Sequence, residues 1–141
     1  MTEETTEVVN LKDLILPEKV VEIEFPGLEG FKVQVSHLGR VMGTKLSKKS
    51  TKIKYVNHQP VEEFDDKKFL PEFTKNVIKG WTGLKMKYLE ELLLVDIGNN
   101  DPESDLVYSQ EHAVNLLENS VDFDTWITEV SKDLTNFTSS K

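Results

Sequence analysis

The residue order predicts an α+β fold, an N-terminal β-hairpin or small antiparallel sheet followed by a bundle of about four to five helices. Two patterns predict it. Between Val21 and Val35 apolar residues recur with a period of two, the repeat of strands with one face on a core. From Asp65 onward they recur at spacings of three and four, the repeat of helices. At 141 residues the chain has the usual size of one domain and can bury a core without metal or disulfide staples. We therefore expect a single domain over residues 11–141, with a hairpin and helix in 11–60 and a helical part in 61–141, preceded by a tail at 1–10.

That tail carries Glu3, Glu4 and Glu7 and is expected to stay mobile. Leu11, Leu14, Ile15 and Leu16 offer the first apolar surface to bury, and Pro17 should stop this short turn. Val21, Ile23 and Phe25 alternate with Glu22 and Glu24, then Phe31, Val33 and Val35 with Lys32 and Gln34. Pro26, Gly27 and Gly30 between them complete the signature of a hairpin. Ser36 can cap a helix burying Leu38, Val41, Met42 and Leu46, which Gly39 and Gly43 each weaken by about 1 kcal/mol. The run from Lys45 to Lys54 is basic, Ile53 and Tyr55 suit a short strand, and Pro60 should end it.

Asp65 can cap a helix in which Phe69, Phe73, Val77 and Trp81 recur every four residues. Pro71 requires that helix either to start near Leu70 or to kink. Gly80 and Gly83 read as its stop and a tight turn, followed by a helix over roughly 85–96 with Met86, Leu89, Leu92 and Leu93 inward. Residues 96–105 collect Gly, Asn, Asp and Pro and read as a surface loop. Ser109 caps a helix with Ala113, Val114, Leu116 and Leu117 inward. Ser120 or Asp122 opens a last one, with Phe123, Trp126, Ile127, Val130, Leu134 and Phe137 on one side, before the end frays from Thr138.

Reactive chemistry is not encoded in any recognisable pattern. The absence of cysteine removes thiolate nucleophiles and thiolate metal sites. His37, His58 and His112 stand in different elements without metal-ligand spacing. Asp96, Gly98, Asn100 and Asp101 faintly resemble a calcium loop, but glycine is not at its sixth place and no glutamate closes it. We expect no enzyme, no metal and no cofactor. A net charge of −8 argues against nucleic acid, and no apolar run approaches the roughly 20 residues that span a bilayer. The acidic first residues lack the pattern of a secretory signal, so the triplet at Asn136 is read as chance and a cytoplasmic setting is expected. Protein binding is the remaining class, with Lys48 and Lys49 suited to an acidic partner surface and the Phe123–Phe137 stripe to a groove.

The helical half also carries a resemblance. Phe69, Leu70 and Phe73 lead to Val77 and Ile78, then Gly80, Trp81, Thr82, Gly83 and Leu84, then Tyr108, Ser109 and Ala113 with Leu116 and Leu117; Trp126, Leu134, Asn136 and Phe137 close the series. This order resembles the tail assembly chaperones of long-tailed, siphovirus-type bacteriophages. The resemblance implies a protein that binds the tape measure protein and the tail tube subunit in the host cytoplasm and is absent from the mature virion. It implies no catalysis, and such families often add a frameshifted longer form. A structural virion component, such as a tail completion or head-tail joining protein, and a small host-binding regulator are the alternatives. Expected contact residues are Trp81, Leu84, Trp126, Val130 and Phe137, with Lys48 and Lys49; a homo-oligomer is compatible with all of this.

Overall fold

The computed structural model describes residues 9–16 and 18–138. Most of the expected mobile tail, the stop at Pro17 and the last three residues of the fraying end lie outside the described residues. The fold is α+β, as the periodicities predict. A short helix α1 (Leu11–Leu14) leads to the hairpin of β1 (Val20–Glu24) and β2 (Lys32–Ser36), which pair antiparallel from Val20↔Ser36 to Glu24↔Lys32. After it come α2 (Arg40–Lys49), β3 (Thr51–Val56), β4 (Gln59–Phe64) and α3 (Asp66–Val77). The chain ends with β5 (Ile78–Thr82), α4 (Met86–Leu92), α5 (Gln110–Asn119), α6 (Val121–Lys132) and α7 (Thr135–Thr138).

β2 is the centre of a three-stranded antiparallel sheet in the order β1-β2-β5, and α3 and α6 pack on it. Its inward residues Val33 and Val35 are fully buried, as the period of two requires. Phe31 and Phe123 stack with ring centroids 6.2 Å apart, and Trp126 meets Phe25 edge-on at 4.9 Å. These rings join the sheet to α6, and Ile127, Val77 and Leu84 complete the buried layer. Burying one such aliphatic side chain is worth about 1.5–3 kcal/mol, so this layer supplies most of the drive to fold.

Several expectations give way to long-range pairing. Residues 61–141 are not wholly helical: Pro60 lies inside β4 opposite Tyr55, forming with β3 a second hairpin through Asn57 and His58, whose φ values of 52° and 67° match the I′ turn that hairpin twist favours. Gly80 stops no helix. It sits in β5 opposite Gln34, and Trp81 opposite Val33. Ser36 belongs to β2, so Gly39 begins α2 without a side-chain cap, and Val41 faces out at 71% exposure. α3 runs through Pro71 because Asp65 accepts the Lys67 and Lys68 N–H groups and Phe73 and Val77 anchor one face. α4 stops at Leu92, short of the expected end near Asp96. The last helical stretch breaks at Asp133, whose carboxylate accepts from Thr135, leaving Leu134 exposed while Phe137 turns inward.

Candidate protein-docking groove

A groove of about 910 Å³ opens where the end of β2, the start of α2, the end of α3 and α7 converge. Ile15, Leu16, Val41, Met42, Leu134 and Phe137 supply its apolar lining. Among the described residues its charged lining is Lys19, Arg40, Lys45 and Lys79 against the single acid Glu18. Two of these cations, Lys79 and Arg40, have a local cause. Lys79 is the extra residue of a bulge, since Gln34 faces Gly80 and Val35 faces Ile78, and such bulges re-aim a side chain. Its ammonium reaches Glu18 at 2.9 Å. Arg40, the only arginine in the chain, opens α2 where no acid occupies the first turn, so the positive end of the helix adds to the field.

Residues 40–59 contain Arg40 and five lysines and no acid, so the rest of the chain carries −14 against the total of −8. The groove is therefore locally basic in an acidic protein. Beside it α1 buries none of its residues, and Val9, Leu11, Leu14, Ile15 and Leu16 are 61–70% exposed. Leu11, Leu14, Ile15 and Leu16 were expected to find cover. An apolar cleft with a cationic rim can seat a helix whose apolar ridge is flanked by carboxylates.

The expected contact residues are distributed differently. Trp81 is 6% exposed, its Nε1 donates to the Leu106 carbonyl at 2.9 Å, and Tyr108 stands edge-on to it at 5.0 Å. Leu84 is fully buried. Both are core groups in this structure. Trp126 and Val130 are half-buried on α6. Lys48 and Lys49 are exposed at the end of α2, and Lys49 pairs with Glu72 at 3.3 Å. Phe137 alone among them lines the groove, with its ring 5.0 Å from that of His37. Lys19, Arg40 and Lys79 went unrecognised as site residues, although the acid-free run from Arg40 was a signal in plain view; Leu134 lies on the stripe already suited to a groove. Among the described residues no cluster of three His, Cys, Asp or Glu side chains is placed to hold a metal.

The sequence profile of the family described as YdaY prophage protein matches residues 30–141. The chain belongs to that family. It is a phage-derived protein by that membership, and the matched span contains β2, α2, α3, β5 and α7, the walls of the groove, but not α1 or β1. No curated protein and no solved structure matches the chain.

Proposed function

We propose that this prophage-family protein is a tail assembly chaperone that binds the tape measure protein, and tail tube subunits, in the host cytoplasm before the tail is built. The observation that carries the reading is the basic-rimmed apolar groove with an uncovered aliphatic arm beside it. A chaperone of long helical clients needs an apolar cleft on a charged exterior more than a reactive centre. The family's prophage origin and the likeness of the helical half to tail assembly chaperones support the same role. No catalytic step is part of the proposal.

Co-expression with the tape measure protein encoded by the same prophage tests it. The expected result is that a client insoluble alone becomes soluble and copurifies with this chain. Unchanged client solubility contradicts the proposal, and abundance of this chain in purified virions favours a structural tail component instead.

A further inference from the structure

The cations of the groove outnumber the acids that answer them. Among the described residues Lys79 pairs with Glu18, while Lys19, Arg40 and Lys45 make no ion pair. Three cations around an apolar floor of Met42, Leu134 and Phe137 set the chemistry of an occupant, which needs carboxylates and some apolar surface. Residues 1–8, which precede the described chain, have that composition. They hold Glu3, Glu4 and Glu7, no lysine or arginine, and the apolar Met1 and Val8.

The path is short. α1 leads directly into Ile15 and Leu16 on the groove wall, and its four residues advance only about 6 Å, so Asn10 at its other end stays close to the groove. Eight extended residues span about 27 Å, several times that advance. We propose that residues 1–8 fold back across the groove of their own chain, with Glu3, Glu4 and Glu7 against Lys19, Arg40 and Lys45. A tether this short holds the segment at about millimolar effective concentration, so three exposed ion pairs suffice where a separate molecule needs more contacts. The docking itself depends on no client. That the segment competes with the tape measure protein is a consequence that rests on the proposed chaperone role.

A spin label on Thr2→Cys, the only thiol in a chain without cysteine, tests this by magnetic resonance of the full chain. Amide signals of residues 36–45 and 134–138 should broaden, and added salt should reverse the effect. Those of α4 should not, because Tyr88 ties that helix to Glu29 in the hairpin turn, at the end of β2 away from the groove. Glu3→Lys, Glu4→Lys and Glu7→Lys together should abolish the broadening with circular dichroism unchanged. Groove signals that stay sharp, or broadening indifferent to the charge reversal, overturn the proposal. So does broadening of the same signals when spin-labelled chain is mixed with isotope-labelled chain carrying no spin label, since the occupant is then a second copy. Client binding is a separate readout: the triple variant should bind the tape measure protein at least about twofold more tightly, the factor returned when a seat filled half the time is vacated. Groove broadening with client affinity unchanged supports the docking and counts against the groove as the client's seat.

Discussion

At Gly83 the backbone has φ +75°, and a Cβ there would run into the Gly30 carbonyl oxygen of the first hairpin's turn. Both features exclude a side chain, since L-residues avoid this region and a carbonyl cannot yield as a flexible side chain can. Gly83→Ala should destabilise the protein by more than about 1 kcal/mol, seen as a lower denaturant midpoint; an unchanged midpoint contradicts the packing. Two residues earlier, Trp81→Phe removes the indole donor and leaves the Leu106 carbonyl unpaired, a loss of about 1–3 kcal/mol by the same assay. The Gly80 to Leu84 motif was visible in the sequence, but its meaning was not. Spacing of four from Val77 suggested a helix, while the burial of Ile78, Gly80 and Trp81 follows from β2, which lies more than forty residues earlier in the chain.

Among the elements, the loop after α4 is fastened by Glu103, which accepts from Lys87 at 2.7 Å and from Lys85 at 2.9 Å. The Lys87 hydrogen bond first, then that of Lys85, draws its carboxyl down from an ordinary 4.5 to about 2. A lowered folded value means that the fastening is fully present above pH 4.5 and is lost as pH falls toward 2. The protection of amides in residues 96–105, taken relative to their intrinsic exchange at each pH, should fall over that interval, and Glu103→Gln should remove that loss; protection that stays flat in the native chain contradicts the assignment. In the second hairpin, His58 holds a left-handed φ of 67°. His58→Gly should stabilise the ribbon by about 1 kcal/mol, measured as slower amide exchange in β3 and β4. Elements whose signals are local were legible: the first hairpin, the caps at Asp65, Ser109 and Ser120, and the inward faces of α5 and α6. β4 and β5 were not, because proline in one and glycine in the other speak against strands until a partner strand is known.

For the molecule as a whole, net acidity conceals a local basic feature. The chain's −8 hides a basic block at α2 and β3, and two of its cations, Arg40 and Lys45, lie on the rim of the groove. The groove was only partly legible, since its walls come from segments more than a hundred residues apart and its lysine at position 79 is aimed by a bulge. Its aliphatic neighbour α1 was visible, yet its exposure depends on tertiary packing that periodicity does not report. Binding of the tape measure protein to the native chain, compared with Arg40→Glu combined with Lys45→Glu, tests the central claim most directly. Both positions are surface sites on α2, so the fold should survive the change. The account predicts tight binding by the native chain and a loss of at least about tenfold in the double variant; equal affinity of the two, or no binding by either, would contradict it.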